Sequence, residues 1–196
     1  MPAMWAWPSS GASGPRGDAV SATNPPSPAG RPGHSAFVGV GSNLDPAANV
    51  RDGVAALKET FAEVRCSTVY QTEPVGFDGP PFYNLVAAIA TDLDLEAVVA
   101  RLRAIEDRFG RERPAGSSAF GNRTLDLDLL LFGERVTTDP VPLPRRDVVE
   151  YAFVLGPLAE LAPDRRHPTL GRTFAELWAD YPPEAAAGMT PVAIEF

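Results

Sequence analysis

Lysine is almost missing from this chain of 196 residues: 16 of its 17 basic residues are arginine, and Lys58 is the exception. A Walker-type P-loop needs lysine directly after its glycine-rich turn, and none stands there. The strand lysine of a protein kinase belongs to a much longer chain, and Schiff-base chemistry would rest on Lys58 alone. Cysteine is as scarce. Cys66 by itself excludes an intramolecular disulfide and a cysteine-rich zinc site. Two histidines, His34 and His167, exclude a multi-histidine metal centre. No apolar run approaches the roughly 18–20 residues of a membrane helix. Positive charge is in deficit as well: 25 acidic residues leave a formal net charge of −8, which argues against broad nucleic-acid binding. The expectation is one soluble domain of a reducing, cytoplasmic compartment, with neither nucleic acid nor membrane as partner.

Proline and glycine, by contrast, are plentiful at 21 and 17. Twelve of them fall in residues 1–34, beside five serines and only three charged side chains, Arg16, Asp18 and Arg31. Such a segment buries too little apolar surface to offset its chain entropy, so 1–34 reads as a disordered extension; the competing reading is a docking peptide through Trp5 and Trp7. From Ser35 the pattern changes. Ala36–Val40 reads as a buried strand ended by Gly41-Ser42-Asn43. Asp45 then looks like an N-cap before Pro46, and Val50, Val54, Leu57 and Phe61 form one helical stripe. Val64–Val69 reads as a second strand, Gln71–Pro81 as loop and Phe82–Thr91 as a third strand. Asp94 caps a second helix with the stripe Val98, Leu102, Ile105 and Phe109. A loop over 110–122 precedes a fourth strand, Leu125–Phe132. Helices are expected over 152–161 and 173–181, the second capped by Thr173, with 182–196 as a trailing C-terminal arm. The order β-α-β-β-α-β is that of a ferredoxin-like α+β sandwich with an antiparallel sheet, here over residues 35–181 and with added C-terminal helices.

Three local patterns carry chemistry. In the run Arg123-Thr124-Leu125-Asp126-Leu127-Asp128, the two aspartates sit at i and i+2 of a strand and share a face, about 6.5–7 Å apart. Aspartate is depleted in strands. Two carboxylates at that distance repel by about 0.6 kcal/mol in water and about 2.4 kcal/mol at an effective dielectric of 20, so a partly enclosed pair calls for cations. Oxygen donors in this number suit Mg²⁺, which binds through one or two carboxylates plus substrate phosphates; a solvated strand face is the plain alternative. The second pattern is arginine clustering: Arg101, Arg103, Arg108, Arg111, Arg113 and Arg123 fall within 23 residues, and guanidinium fits phosphate oxygens bidentately. Third, Phe82 and Asn84 share one face of the third strand while Tyr83 faces away. A ring plus a side-chain amide is a minimal reader for a flat heterocycle, although a core phenylalanine is the commoner role. Together these patterns suggest phosphoryl transfer to a small aromatic alcohol.

The chain resembles 6-hydroxymethyl-7,8-dihydropterin pyrophosphokinase over about Ser35–Tyr181. The resemblance rests on the opening 37–44 (Phe-Val-Gly-Val-Gly-Ser-Asn-Leu), on 70–76 (Tyr-Gln-Thr-Glu-Pro-Val-Gly), on Phe82-Tyr83-Asn84 and on Glu106 through Arg113. It continues through the Arg-Thr-Leu-Asp-Leu-Asp run at 123–128 and 153–158 (Phe-Val-Leu-Gly-Pro-Leu). It implies that the pyrophosphoryl group of ATP passes to the hydroxymethyl oxygen of a dihydropterin, releasing AMP, on a monomer. By resemblance Asp126 and Asp128 hold two Mg²⁺, and Arg111, Arg113 and Arg123 bind phosphates and gate the loop. Phe82 and Phe153 sandwich the pterin, and Asn84, with backbone around Thr72 and Val75, reads its edge. Arg103, Glu106 and Phe120 match nucleotide-side positions. The only candidate base is Asp126. The chain departs from the family at Ala119, Asn122, Arg145, Tyr151 and near Pro140; Arg145 and Arg146 would restore the missing positive charge on the ATP side. The departures leave open a related pteridine-like alcohol as acceptor, or a non-catalytic pteridine binder with a decayed nucleotide site.

Overall fold

The computed structural model describes residues 33–110 and 122–196, and the element order is that of a split β-α-β. Strand β1 (His34–Ser42) leads to α1 (Pro46–Thr60), then β2 (Glu63–Cys66), β3 (Val69–Thr72) and β4 (Phe82–Thr91). Helix α2 (Leu95–Arg108) precedes β5 (Asp126–Phe132), and α3 (Asp147–Glu150), α4 (Ala152–Leu161), α5 (Phe174–Ala179), α6 (Pro183–Ala186) and β6 (Thr190–Val192) close the chain. The sheet order is β5-β1-β4-β3-β6, with β2 also on β4 and every pairing antiparallel. This is the ferredoxin-like α+β arrangement that the element order predicts.

Side-chain alternation gives the sheet two different faces. On one, Val38 and Val40 of β1, Leu85 and Ala87 of β4, and Leu127 and Leu129 of β5 pack against α1 and α2. On the other, Phe37, Val86, Ala88 and Leu130 pack against Val148 of α3, Leu155 and Leu158 of α4 and Phe174 of α5. A bulge in β5 assists this. The register on β1 shifts between Phe37 and Val38, so Leu130 and Leu131 both join the second cluster. The buried members of that cluster cluster toward one end of the strands. At the other end, where β1 and β3 finish and β4 and β5 begin, the same face is only half-buried at Phe82, Asn84, Asp126 and Asp128.

Several local expectations need correction. The expected strand over 64–69 is two strands, β2 and β3, joined by a one-residue bulge: Cys66 pairs with Ala87, whereas Tyr70 pairs with Asn84. Ser67 bridges the break, since its N–H donates to Val86 O at 2.9 Å while its hydroxyl accepts the Val86 N–H at 3.0 Å. Gln71 and Thr72 belong to β3 and not to the loop, because Tyr83 and Phe82 of β4 lie opposite them. Asp45 stands at the N-cap position of α1 but adopts a left-handed conformation (φ 44°) and caps nothing with its side chain; Asn49 ties the start down by donating to Leu44 O. Asp94 and Thr173 do cap, Thr173 within a reciprocal capping box with Glu176. Residues 182–196, expected as an arm, supply β6, which pairs with β3 and extends the sheet.

Candidate active site

Register decides what meets at the half-buried end. Directly opposed residues of antiparallel strands share a face. Gly41 of β1 is opposite Asn84 on one side and Asp126 on the other, and Gly39 is opposite Val86 and Asp128. Two parallel rows result, Asp126-Gly41-Asn84 and Asp128-Gly39-Val86, each with a glycine in the middle. Strands are spaced about 4.8 Å apart, so Asn84 and Asp126 stand about 10 Å apart across a floor without side chains. That floor is a slot with an amide on one wall and paired carboxylates on the other.

The amide wall is held in place. Asn84 Nδ2 donates to Thr72 Oγ1 at 2.8 Å. Asn84 Oδ1 lies over Gly41, 2.9 Å from where a Cβ would stand. Phe82 lies two residues earlier on the same face, with Phe77 edge-on to it at 6.2 Å. Tyr83 is turned to the α1/α2 side, as its place in β4 requires. Phe153, on the first turn of α4, lies at the margin of the cluster on the same side of the sheet as Phe82 and Asn84. Tyr151 stacks on it with ring centroids 5.1 Å apart and planes 10° apart. Val75 is exposed in the loop between β3 and β4.

The carboxylate wall carries its own cations. Arg123 Nε lies 3.9 Å from Asp126 Oδ2, and Arg145 Nη1 lies 3.2 Å from Asp128 Oδ1. Arg145 Nε also donates to Asp147 Oδ2 at 2.8 Å. Burial disfavours the charge of Arg145, but Asp128 and Asp147, with Asp126 adding to them, outweigh it and hold its pKa above the ordinary arginine value. Arg146 is not brought to this wall: it pairs with Glu150 at 2.6 Å and is 86% exposed. Arg103 stays exposed on α2. Glu106, expected on the nucleotide side, is buried, and its Oε1 accepts the Leu127 N–H at 3.0 Å. Leu127 lies between the two aspartates on the outermost strand, so Glu106 satisfies an edge amide that has no neighbouring strand. Arg111, Arg113, Ala119 and Phe120 lie outside the described residues.

One buried side chain ties both walls together, and its role is not evident from the sequence. Asn43 Oδ1 accepts the Arg123 N–H at 2.7 Å, while its Nδ2 donates to Asn122 Oδ1 at 2.9 Å and to Pro80 O at 3.2 Å. The N–H groups of Asn43 and Leu44 both donate to Arg123 O. The end of β1, the loop before β4 and the entry to β5 are therefore pinned at one point. The local signal was a polar residue directly after a buried strand, which is equally the signature of an ordinary strand end. Gly41 and the Thr72 hydroxyl were likewise beyond a local reading, because both act through a neighbouring strand.

The donor set suits a hard divalent cation. Among the described residues no group of three or more His, Cys, Asp or Glu could hold a metal. The site would therefore offer the Asp126 and Asp128 carboxylates and leave other positions to water and phosphate, which is how Mg²⁺ is bound alongside nucleotides.

A family model described as 7,8-dihydro-6-hydroxymethylpterin-pyrophosphokinase (HPPK) matches residues 37–163. The chain belongs to this family. A 2-amino-4-hydroxy-6-hydroxymethyldihydropteridine pyrophosphokinase of Pseudomonas aeruginosa is 42% identical over 158 residues, 74% of this chain and 91% of the relative. One from Synechocystis sp. is 35% identical over 148 residues, 74% of each chain. Among solved structures, the wild-type HPPK-DHPS of Plasmodium falciparum with pterin and p-hydroxybenzoate superposes with a TM-score of 0.65 at 13% identity. That match covers 85% of this chain and 48% of the solved one, so this chain spans about half the length of that protein. At that identity the likeness concerns the HPPK fold alone. The matched span 37–163 contains every described site residue, from Gly39 and Gly41 of β1 to Phe153 of α4.

Proposed function

We propose that this HPPK-family protein transfers the pyrophosphoryl group of ATP to the hydroxymethyl oxygen of 6-hydroxymethyl-7,8-dihydropterin, releasing AMP, as a cytoplasmic monomer in folate biosynthesis. The observation that carries the reading is the row Asp126-Gly41-Asn84. A flat ring whose edge is read by Asn84 lies across the glycine floor and presents its far arm to the carboxylates. Phe82 and Phe153 offer ring faces from the sheet and from α4. The family match and the pyrophosphokinase relatives support the same chemistry. No described helix is long and apolar enough to cross a membrane.

Each residue then has a task. Asn84, oriented by Thr72, and backbone around Thr72 and Val75 fix the ring edge; this positions the acceptor oxygen for in-line attack. Asp126 and Asp128 would hold two Mg²⁺, which when bound supply charge neutralisation at the triphosphate. Arg123 and Arg145 bring further positive charge to the phosphate oxygens, together with Arg111 and Arg113. Asp126 is the side chain able to take the hydroxyl proton. Asn43 holds the Arg123 backbone and the loop before β4 in fixed relation. Arg103, Phe120 and Arg146 remain candidates on the ATP side, Arg146 by a change of partner.

The test is AMP release from ATP and Mg²⁺, with and without the dihydropterin. AMP that appears only with the pterin is the expected result. Tight pterin binding without AMP would replace the reading by a non-catalytic binder. Asp126→Ala and Asp128→Ala should each lower turnover by about 10³-fold or more, equivalent to about 4 kcal/mol, with the thermal midpoint little changed. Near-normal activity in either variant refutes the carboxylate assignment. One observation favours a second reading, a related pteridine-like alcohol as acceptor: Tyr151, one of the positions that depart from the family resemblance, stacks on Phe153 and lengthens the aromatic wall. Comparing kcat/KM across pteridine alcohols decides between the two.

A further inference from the structure

Asp128 already has a cation. The Arg145 guanidinium is bracketed by Asp128 at 3.2 Å and Asp147 at 2.8 Å. The backbone sets this up, because the Arg145 N–H donates to Leu130 O at 3.0 Å, against β5 and two residues beyond Asp128. Arg145, Asp128 and Asp147 are each about one-third exposed or less at their side chains, so water only partly screens them. A planar fork with five donors can hold one carboxylate through Nε and another through Nη1. It can also exchange the second for a phosphate while keeping the first.

We infer that Arg145 is a resident cation of the metal site: it occupies Asp128 before nucleotide binds, opposes capture of free divalent metal, and turns to phosphate oxygens when metal and nucleotide arrive together. The inference rests on the reading of Asp126 and Asp128 as metal-holding carboxylates. A metal ion arriving alone must share Asp128 with a guanidinium of like charge, or leave that guanidinium without its acceptor. A metal–triphosphate complex brings a new acceptor with it. Asp147 keeps its grip on Nε throughout, so the exchange needs only a pivot of the fork. The site is thereby tuned to the metal–nucleotide complex in preference to the metal, and the positive charge needed at the phosphates is stored in place.

The experiment measures Mn²⁺ binding to the full chain by electron paramagnetic resonance, first with the metal alone and then with a non-hydrolysable ATP analogue. Arg145→Gln and Arg145→Met remove the charge and keep a stem of similar length; circular dichroism checks their fold. Both should bind Mn²⁺ alone about thirtyfold more tightly than the wild type, the gain expected from removing one positive charge about 4 Å from a divalent ion in a largely aqueous setting. With Mn²⁺ present, both should bind the analogue about tenfold more weakly, the loss expected for one charge-assisted hydrogen bond. Arg146→Gln removes the same formal charge from the exposed pair with Glu150 and should move the Mn²⁺ constant less than about twofold. A purely structural arginine would weaken both affinities or neither. Mn²⁺ binding no tighter in the Gln and Met variants than in the wild type overturns the inference. If that binding is still lost in Asp126→Asn and Asp128→Asn, the metal reading survives it. If no form of the protein binds Mn²⁺, with or without the analogue, both fall together.

Discussion

Gly41→Ala is the most exacting probe of the slot, because it adds one methyl group at its floor and touches no charged group. The new Cβ would stand 2.9 Å from Asn84 Oδ1 and 3.9 Å from Phe82 Cδ1. Carbon and carbonyl oxygen come no closer than about 3.3 Å without cost, so the amide must retreat by about half an ångström or rotate. Either movement strains its 2.8 Å bond to Thr72 Oγ1. Losing one neutral hydrogen bond costs about 0.5–1.5 kcal/mol, while replacing glycine by alanine within a strand returns about 0.5–1 kcal/mol. Stability should therefore change by less than about 1 kcal/mol. Substrate binding has no such compensation. If Asn84 contributes two hydrogen bonds to the ring edge, displacing it costs about 1–3 kcal/mol, or roughly 5- to 150-fold in KM for the pterin. The KM for ATP should stay within about twofold, since the proposed site for the phosphates is the carboxylate wall. Gly39→Ala is the steric control: its Cβ would make ordinary contacts with Leu130 at 3.6 Å and 3.7 Å. Steady-state kinetics at saturating ATP, with a thermal melt beside them, suffice. If Gly41→Ala keeps the wild-type KM for the pterin at unchanged stability, the ring edge does not rest on Asn84 over Gly41, and the slot reading is refuted.

Two further predictions concern stability. Arg165 bonds Ser35 Oγ, Gly133 O and Glu134 and lies over the Phe37 ring at 5.2 Å, so it ties the start of β1 to the turn after β5. Burial pushes its pKa down, and Glu134 opposes that. Arg165→Met should cost about 2–4 kcal/mol, because it strands the Gly133 carbonyl and the Ser35 hydroxyl and ends the contact with Phe37. A thermal midpoint lowered by less than about 2 °C would refute that role. His167 is buried, and its Nδ1 faces the N–H groups of Thr169 and Leu170 as acceptor. Burial lowers its pKa below the ordinary 6.5. The unfolded chain then binds the proton more readily than the folded one, so this contribution is complete well above pH 6.5 and is lost as pH falls from there through the folded pKa. Thermal midpoints should therefore drop between about pH 7 and pH 5 in the wild type, and this drop should shrink in His167→Asn, whose amide oxygen can accept without titrating. An identical pH profile in the variant refutes the assignment.

How much of this could be read from the chain depends on the range of the interaction involved. Amphipathic stripes and caps are local, and α2 and α4 and strand β4 fall where their patterns place them. The i, i+2 aspartates are local too, and they do share a face of β5. What escapes is set between strands. The split of β2 from β3 depends on one extra residue opposite β4, and β6 joins the sheet only because β3 leaves an edge for it. Arg145 and Arg146 are adjacent and chemically identical. A backbone bond to Leu130 and the carboxylate of Asp147 send the first to Asp128, whereas Glu150, one helical turn on, takes the second. Gly41 makes the point most directly. Read along β1 it is a weak strand residue, lacking a side chain to pack. Read across β5, β1 and β4 it is what keeps a gap of about 10 Å between Asp126 and Asn84 open. A side chain at that position would leave the paired aspartates, the arginines and the Phe82/Asn84 pair intact and intrude on the space in which they could act together.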